Sequence, residues 1–492
     1  MSGDRHLRPD PDGRIAGSPA TLATVLVKAT SPYAGTVAGQ HLLQLLVNLL
    51  ARQFGVVREI LLEVPDCEIH RGVFLAPRIT EGRLLAALLF LGDSIGGDLT
   101  ITRVADGSPA TVVICVGRSA DRIDVGVPSI VVAGHQWTAS VSTSGSTANF
   151  ESFSRNPIGP YLAACIGAGF AFKSAYGKQI AIDRNFNLWR TEGELGPELD
   201  GITFPTAYVL GLGAVGSAFG HLVAASSGLR GNLVAVDPQY MSDTDRNRML
   251  SGTWIDPGES KVGLFTRLFV DSAIGIHTFK GRWPQDYLGD PGREIPPKIR
   301  SSERAGRFEW VISAVDRNRD RIGIATQLPL NVMSGSTFGM AAQTAYYSMQ
   351  GNCECLGCRH RTPVQLGVED LAEQLNNLTK EERSAWYIDH GAIPQVMASI
   401  EEYLDNPSCA GPGAADLARL RLQGRVDWAV GFVSAAAGVI LGARFVRAAI
   451  VGPDREIEGG SESRYLFWAD ALRTTKAMRS GDCPICGGKR QG

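Results

Sequence analysis

Residues 207–237 read AYVLGLGAVGSAFGHLVAASSGLRGNLVAVD, and this stretch decides the fold. It begins with an apolar run of strand type, turns at a group of glycines, continues with apolar residues at helical spacing, and ends in a second apolar run before an acid. Strand, glycine-rich turn, helix, strand and acidic residue follow one another in this way in a βαβ mononucleotide-binding unit. The stretch therefore predicts an α/β fold with a Rossmann-like, mainly parallel sheet.

The glycines of this unit indicate a phosphate site. Gly211, Gly213 and Gly216 form GxGxxG at the start of the predicted helix. Glycine lets the backbone turn tightly and approach a phosphate, and the helix N-terminus presents free N–H groups. Asp237 ends the next strand, where a carboxylate can accept hydrogen bonds from ribose hydroxyls. These residues alone indicate a nucleotide site, and a dehydrogenase remains an alternative.

The charged residues that follow suit a triphosphate better than a nicotinamide cofactor. SDTDRNRML (242–250) brings Asp243, Asp245, Arg246 and Arg248, and DPGESK (256–261) brings Lys261. Arginine, lysine and a carboxylate-held metal ion neutralise departing pyrophosphate. Asp316 ends the apolar strand in VISAVDRNRDR, at the edge of a parallel sheet where ligands bind, and is a candidate Mg²⁺ ligand. Each residue taken singly is also compatible with a solvated loop.

The cysteines predict a metal site and a candidate nucleophile. Cys355 and Cys358 form one CxxC, and Cys483 and Cys486 form a second. Four thiolates at this spacing suit a tetrahedral, structural Zn²⁺. Cys409 precedes a predicted helix, whose N-terminus can lower a thiol pKa, although free cysteines are more commonly small core residues.

Composition limits the classes of function. The 492 residues exceed one ordinary core, so two or more domains are expected. With 44% hydrophobic and 20% charged residues and a net charge of −2, nothing favours general binding to nucleic acid or to an anionic membrane. The apolar stretches near 158–172 and 429–443 are shorter than a membrane span and predict buried helices. Few, clustered cysteines predict a reducing compartment, the cytoplasm.

Both halves of the chain have an α/β pattern. The predicted order is a disordered tail (1–20), a first α/β domain (21–178), a linker (179–205) and a second domain (206–492) with an excursion at 359–428. In the first domain the strand candidates are 57–64, 88–91, 110–116 and 129–132, and helices are predicted over 36–55 and 157–175. In the second domain the polar stretch 283–307 predicts a long loop, and 359–406 is helical in character. An apolar Gly/Ala-rich helix closes each half. This likeness hints at a duplicated domain whose first copy has diverged.

Several motifs together resemble a known family. GLGAVG, the strand end at Asp237, SDTDRNR, DPGESK, AVDRNRDR, SGSTFGM, the two CxxC pairs and SCAGPG before an apolar helix are similar, in order, to the adenylation domain of the ThiF/MoeB and ubiquitin-activating enzyme superfamily. The resemblance implies that the glycine loop and Asp237 bind ATP, that Arg246 and Lys261 contact its phosphates, and that Asp316 holds Mg²⁺. Cys409 matches the cysteine that carries a thioester or persulfide in that family.

The chain also departs from the family pattern. The usual Ser-Asn-Leu-Asn-Arg-Gln run reads Ser-Asp-Thr-Asp-Arg-Asn at 242–247, which leaves the roles of Asp243 and Asp245 open. The first 175 residues resemble an inactive copy of the domain without GxGxxG, so the chain is either a pseudo-dimer or part of a homodimer. DRNFNLWR (183–190) resembles the segment that leads into the family's active domain and makes Arg184 or Arg190 a candidate for an arginine donated to the phosphates.

The resemblance is strongest to the activating enzymes of bacterial ubiquitin-like (Bil-type) antiphage conjugation systems. It implies adenylation of the C-terminus of a ubiquitin-like protein, a thioester on Cys409 and transfer to a ubiquitin-conjugating-enzyme-like partner. One alternative is a sulfur-carrier protein adenylyltransferase of the thiamine, molybdopterin or natural-product type. A further alternative is a non-catalytic, nucleotide-binding zinc scaffold. A nicotinamide oxidoreductase fits least, because it has no use for the zinc cysteines.

Overall fold

The computed structural model describes Leu7, Ile15 and residues 17–487, except 97–98, 105–108, 118–125, 146–153, 179–180, 190–194, 293, 305, 307, 350–352, 361–367, 390–391, 406–411, 414–415, 418–428, 459 and 482. The predicted tail, 1–20, falls mostly outside the described residues and stays a prediction. By compactness the chain divides into two units. The larger comprises residues 18–359 and 429–492 with 1–4, and the smaller comprises 360–428 with 5–17.

The strands of the described chain are β1 (Ala23–Ala29), β2 (Val57–Glu63), β3 (Phe74–Leu75), β4 (Arg78–Ile79), β5 (Thr100–Arg103), β6 (Val112–Val116), β7 (Ser129–His135), β8 (Thr138–Ser142), β9 (Asp183–Asn187), β10 (Ala207–Leu210), β11 (Gly231–Val236), β12 (Ile274–Phe279), β13 (Trp310–Ser313), β14 (Asn331–Phe338), β15 (Ala341–Ser348), β16 (Glu462–Leu466) and β17 (Ala471–Thr475).

The helices of the described chain are α1 (Ser31–Ala34), α2 (Val37–Ala51), α3 (Leu84–Gly96), α4 (Ile158–Ala175), α5 (Ala214–Ala225), α6 (Lys261–Arg267), α7 (Gln285–Gly289), α8 (Pro297–Arg304), α9 (Asn318–Ala325), α10 (Leu356–Arg359), α11 (Val368–Asn376), α12 (Lys380–Asp389), α13 (Pro394–Asp405), α14 (Gly431–Val451) and α15 (Pro453–Glu458), with a 3₁₀ turn at Asp243–Asp245.

Within the described residues, two large sheets of the larger unit share one topology. The first has the order β5-β2-β1-β6-β7-β8-β9, and the second has the order β12-β11-β10-β13-β14-β15-β16-β17. If the strands of each half are numbered in chain order, leaving out the small β3–β4 pair, both sheets have the strand order 3-2-1-4-5-6-7. The second sheet has an eighth strand at its edge. In both, the first five strands pair in parallel and the later ones pair antiparallel. The predicted α/β fold with mainly parallel sheets is confirmed.

The central parallel strands form because their residues are apolar on both faces. Every residue of β10 and β13 is buried, and so are the last four of β11. Strands that are covered by helices on both sides of a sheet need such continuous apolar runs, without polar alternation. This requirement explains why AYVL, LVAV and WVIS could be identified in the sequence.

The two predicted closing helices are buried. They are α4 and α14, and they pack against each other inside the larger unit. In length and apolar composition, α14 could cross a membrane, and 89% of its most apolar window is buried inside the protein, as in the core helix of a soluble protein. At 21 residues α14 is longer than the sequence predicts.

Three segments differ from their sequence predictions. The run 88–91 is not a strand, because it lies inside α3. Its leucines favour a helix, and a short apolar run cannot by itself distinguish a helix from a strand. The stretch 283–307, predicted as a long loop, contains α7 and α8. The segment predicted as a linker, 179–205, includes β9, which pairs with β8 at the edge of the first sheet.

The smaller unit has an apolar core of its own. Helices α11, α12 and α13 supply most of it, as the helical character of the sequence predicts. The buried residues are Leu371, Ala372, Leu375, Tyr387, Ile400, Tyr403, Leu404 and Leu417. Tyr387 donates a hydrogen bond to Glu401 Oε1 (2.8 Å), which joins α12 to α13.

Candidate functional site

The carboxyl ends of three parallel strands meet at one edge of the second sheet. Leu210 ends β10 and pairs with Val236 of β11 on one side and with Ser313 of β13 on the other. The residues that follow these strands therefore lie side by side. This edge is where open α/β sheets bind ligands.

The three glycines of the loop have different surroundings. Gly211 has φ +85°, and a Cβ there would lie 2.9 Å from the Ala314 carbonyl oxygen. At Gly216 a Cβ would lie 2.0 Å from the Gly211 oxygen, so the N-terminal turn of α5 can pack on the loop only without a side chain. A Cβ on Gly213 would meet no heavy atom of the described chain within 4 Å. The protein itself thus requires glycine at 211 and 216, while the open space at Gly213 fits an approaching phosphate.

Asp237 fixes the loop. Its Oδ2 accepts a hydrogen bond from the Leu212 N–H and its Oδ1 accepts one from the Gln239 N–H, both at 2.7 Å. Burial raises the pKa of this carboxyl, while the two N–H donors and the nearby Lys261 oppose the rise. The contact that the structure shows for Asp237 is therefore with the main chain of the glycine loop, and its lone pairs leave room for a ribose hydroxyl.

Asp243 and Asp245, the two acids of SDTDRNR, have different surroundings. Asp243 is largely exposed, with 79% of its side chain accessible. Asp245 is buried and closes a capping box with Ser242, whose N–H and hydroxyl both donate to Asp245 Oδ2 (3.0 and 2.9 Å). Its Oδ1 accepts a hydrogen bond from Arg248 Nη2 at 2.7 Å. Asp245 therefore organises the segment, a role that the sequence left open.

Lys261 lies where its ammonium faces this segment. It is buried at the first position of α6, and its Nζ donates to Gln239 Oε1 (2.8 Å) and lies 3.5 Å from Asp245 Oδ2. Burial alone would raise the pKa of the Asp245 carboxyl, but Lys261, the Ser242 N–H and Arg248 hold it below its usual value. Asp245 is therefore ionised at neutral pH and keeps the Lys261 ammonium beside the glycine loop.

The Arg246 side chain is partly exposed to solvent. Its side chain is 34% exposed, its Nε is 3.8 Å from Asp243 Oδ1, and its guanidinium carbon is 5.9 Å from the centre of the Phe54 ring. Phe54 belongs to the first half of the chain. Among the basic residues of 242–250, Arg246 is thus the more accessible one, since Arg248 is buried against Asp245.

Asp316 is exposed in the loop between β13 and α9. Arg321 donates from Nη2 to the Val315 carbonyl oxygen (2.9 Å), which fixes the start of this loop. An exposed carboxylate at the carboxyl end of a central strand can bind a hydrated Mg²⁺.

The corresponding edge of the first sheet is filled by its own side chains. Where β1 ends, α1 occupies the place of a glycine loop, and the Tyr33 hydroxyl donates to the Gly134 carbonyl oxygen (2.6 Å) and accepts from the Gly134 N–H (2.7 Å). A Cβ on Gly117, which follows β6, would lie 2.5 Å from Thr30 Oγ1 and 2.8 Å from Tyr33 Cβ. No GxGxxG is present there. This edge therefore lacks the open glycine turn seen at Gly213.

The four zinc-type cysteines come together. The Sγ atoms of Cys355, Cys358, Cys483 and Cys486 all lie within 4.8 Å of one another. Neighbouring Sγ atoms are 3.8, 3.7 and 3.4 Å apart. A tetrahedron with Zn–S bonds of about 2.3 Å has S–S edges of about 3.8 Å. The cluster can therefore hold zinc, which would join the segment after β17 to the turn after β15.

We expect Cys486→Ser to lose the metal, about one zinc per chain, and to lower the melting temperature by several degrees, because metal binding is coupled to folding. Elemental analysis and thermal unfolding measure the two effects. Cys353→Ser is the matched control, since Cys353 is buried nearby but lies outside the cluster. Full zinc content in Cys486→Ser, or none in the unaltered protein, would contradict the assignment.

Three predicted residues are not placed in this site. Cys409 and Arg190 lie outside the described residues. Arg184 lies on β9 and lines a groove with Leu472 of β17, which is four strands away from β13 in the second sheet. The structure thus groups Gly211, Gly213, Gly216, Asp237 and Lys261, with Arg246 and Asp316 beside them, and places Arg184 elsewhere.

The sequence prediction missed a contribution from the first half. Polar residues recur at every fourth position of the apolar helix α2 and at its end, and all are buried: Gln40, Gln44, Asn48 and Arg52. Gln44 Nε2 lies 3.4 Å from His221 Nε2 of α5, and Arg52 reaches the segment after Arg246. The spacing of four was visible in the sequence as a polar row on an otherwise apolar helix.

Comparisons with known proteins give limited similarity. None of the known protein-family models matches the chain. The uncharacterized protein y4jF of Sinorhizobium fredii (strain NBRC 101917 / NGR234) is 22% identical over 369 residues, which cover 70% of this chain and 64% of y4jF. The chain thus spans somewhat less than two thirds of the length of that relative.

Solved structures of E. coli MccB are also similar. The complex with ATP has a TM-score of 0.37 and 12% identity, and the match covers 73% of this chain and 97% of that chain. The complex with AMPCPP and MccA has a TM-score of 0.36 and 11% identity, with 73% and 98% covered. Similarity this low does not identify an activity. The function must be argued from the site itself.

Proposed function

We propose that the chain uses ATP to adenylate the C-terminal carboxylate of a ubiquitin-like protein, as a member of the ThiF/MoeB and ubiquitin-activating enzyme superfamily. One observation carries the proposal: the carboxyl edge of the second sheet combines an open glycine turn at Gly213, the loop-fixing Asp237 and the buried Lys261–Asp245 pair. Arg246 and Asp316 flank this group. A dinucleotide site needs the glycine turn and the acid but not the additional cations.

The reaction that fits is a displacement at the α-phosphorus of ATP. A carboxylate oxygen of the carrier attacks that phosphorus, and the bond to the oxygen that bridges to the β-phosphorus breaks. Pyrophosphate leaves with the electron pair, so its charge grows as the bond breaks. The Lys261 ammonium and the Arg246 guanidinium would stabilise this charge, and the N–H groups at the start of α5 would bind phosphate oxygens. Mg²⁺ held at Asp316 would supply further charge compensation.

The second step of the proposed reaction is thioester formation on Cys409. The thiolate attacks the acyl carbon of the adenylate and AMP leaves, after which a ubiquitin-conjugating-enzyme-like partner takes the acyl group. Placement in bacterial antiviral defence follows the Bil-type resemblance of the sequence, and placement in the cytoplasm follows its few, clustered cysteines. Both belong to the proposal.

The first half is proposed to be an inactive copy of the adenylation domain. Its sheet has the same strand order as the second sheet, and its own ligand edge is filled by Tyr33. On this interpretation the chain is a pseudo-dimer that needs no second copy to complete the site.

Sulfur-carrier adenylation is the main alternative. Sulfur-carrier adenylation has the same first step, but the adenylate has a different fate. Sulfur transfer would yield a thiocarboxylate on the carrier protein and not a thioester on Cys409. A nucleotide-binding zinc scaffold without activity is the second alternative. Thiamine or molybdopterin genes beside this one would favour the sulfur-carrier function, whereas a conjugating enzyme and a deubiquitinase-type metalloprotease would favour conjugation.

ATP–pyrophosphate exchange tests the proposal. We expect labelled pyrophosphate to enter ATP only when a ubiquitin-like protein encoded beside this gene is added. A carrier that lacks its C-terminal glycine is the control and should not support exchange. Tight ATP binding without exchange, with the intact carrier present, would favour the scaffold.

A further inference from the structure

One arginine from the first half binds the main chain of the segment 246–252, which begins at the proposed phosphate-binding Arg246 in the second half. Arg52 is the C-terminal cap of α2 and is 1% exposed. Its Nη1 donates to the main-chain oxygen of Arg246 (2.5 Å), and its Nη2 donates to the main-chain oxygens of Leu250 (3.2 Å) and Gly252 (2.7 Å). A single guanidinium thus joins three carbonyls of the segment 246–252.

The end of α2 is built to present this guanidinium. Asn48, one turn earlier on α2, accepts a hydrogen bond from Arg52 Nε (2.7 Å) and so fixes the orientation of the planar guanidinium. Phe54, two residues beyond, places its ring 5.9 Å from the Arg246 guanidinium. The first half therefore contacts Arg246 twice, at its main chain through Arg52 and at its side chain through Phe54.

The segment is also anchored from its own half. The Ser217 hydroxyl, on α5, donates to the Ser251 hydroxyl and accepts from the Ser251 N–H, both at 3.0 Å. Ser217 follows the last glycine of the GxGxxG loop directly. The segment 246–252 is thus held between the glycine-loop helix on one side and Arg52 on the other.

The charge of Arg52 has no direct counterion. Among the described residues, no carboxylate oxygen lies within 4.0 Å of its guanidinium, and its hydrogen-bond partners are an amide oxygen and main-chain carbonyls. The Asp256 carboxylate acts on Arg52 only from a longer distance and is itself paired with Arg267 (2.7 Å). A buried cation without an ion-pair partner is costly. Its field extends through the segment and favours an anion on the far side. A polyphosphate bound beside Arg246 would provide that anion.

We propose that Arg52 is a positioning residue for the nucleotide site, and that the first half acts on ATP binding through it. Arg52 touches no phosphate. It holds the main chain of Arg246 so that the Arg246 guanidinium lies in place for the phosphates. This inference rests on the proposed function of the site as an ATP site, and it gives the first half a role in the reaction although its own edge is filled.

A double-mutant cycle tests the inference. Arg52→Met keeps the length of the side chain but removes its donors and charge, and should weaken ATP binding about tenfold and lower kcat/KM for exchange about 30-fold. In an Arg246→Ala background the same change should cost less than about threefold, because two residues that act as one unit are not additive. Titration calorimetry with ATP and the exchange assay measure the two effects.

Gln53→Met is the matched control. Gln53 is the next residue, is buried, and donates to the Ala168 carbonyl oxygen (2.9 Å) inside the first half. It should lower the melting temperature as Arg52→Met does, while ATP affinity stays unchanged. Should Arg52→Met not fold, Arg52→Lys, which keeps the charge without the fork, should still show a loss of about fivefold that Arg246→Ala suppresses.

The outcomes separate this inference from the proposed function. Three results would overturn the role of Arg52. The first is a double variant in which the two losses of ATP affinity simply multiply, and the second is wild-type ATP affinity in Arg52→Met. The third is a loss of ATP affinity in Gln53→Met equal to that in Arg52→Met. If the unaltered protein binds ATP but never exchanges pyrophosphate, the adenylation proposal fails while the affinity cycle still decides the role of Arg52. An unaltered protein that binds no ATP would overturn both.

Discussion

Asp316→Ala is expected to slow ATP–pyrophosphate exchange by ~10²-fold or more, the scale of removing a preorganised electrostatic stabiliser from a reaction that develops charge. The residue is exposed at the carboxyl end of β13, beside the strand that carries the glycine loop. Its loss leaves no buried gap, so the fold should be unaffected. The melting temperature should therefore stay within about 1 °C of that of the unaltered protein.

Asp320→Ala is the matched control for Asp316. Asp320 lies four residues later in the first turn of α9, and its Oδ1 is 3.6 Å from Arg319 Nε. It offers a carboxylate of the same kind outside the strand end. Exchange should stay near the wild-type rate in this variant. Wild-type exchange in Asp316→Ala, with the carrier protein present, would remove Asp316 from the mechanism, and equal losses in both variants would indicate a general effect of surface charge.

Cys409→Ala is expected to abolish the covalent adduct with the ubiquitin-like protein while exchange continues. The proposed ATP site is built from Gly211, Asp237, Lys261 and Asp316, none of which is changed. The adduct is a thioester and should disappear on treatment with excess thiol. A non-reducing gel and the exchange assay on the same variant measure the two properties.

The remaining cysteines provide the control for Cys409. Burial raises the pKa of the Cys165 and Cys353 thiols, which makes them poor nucleophiles at neutral pH. Cys67 is half-buried and donates to the Ala34 carbonyl oxygen (3.5 Å). Cys67→Ala should keep both exchange and adduct. Loss of exchange in Cys409→Ala would identify a structural cysteine, and an adduct that survives would place the nucleophile on another residue or on a partner enzyme.

Local sequence patterns were sufficient for the βαβ unit. Gly211 and Gly216 could be recognised from local requirements, because Gly211 has a positive φ and a Cβ on Gly216 would meet the Gly211 oxygen. The cysteine pairs were equally visible, because CxxC spacing is fixed by the metal. The run at 88–91 was mistaken for a strand because four apolar residues have no period of their own, and the helix α3 is defined only over its full length.

The roles of Asp243 and Asp245 could not be separated from the sequence. Both are acids two residues apart, yet one is exposed and the other is enclosed by Ser242, Arg248 and Lys261. What decides between them is the return of α6, which brings Lys261 back to the 3₁₀ turn. That contact depends on the path of the chain over 251–260 and not on any local propensity.

By itself, the sequence determined the α/β class, the glycine turn at the end of β10, the acid at the end of β11 and the two CxxC pairs, because a local pattern identifies each of them. The tertiary structure alone decided that the edge of the first sheet is filled by Tyr33 and that Arg52 reaches Arg246 across 194 residues of chain. The Tyr33 contact joins distant parts of the first half and the Arg52 contact joins the two halves, and neither residue carries a local pattern that identifies its partner. The physical reason is that burial and long-range packing, rather than local propensity, choose between chemically similar side chains.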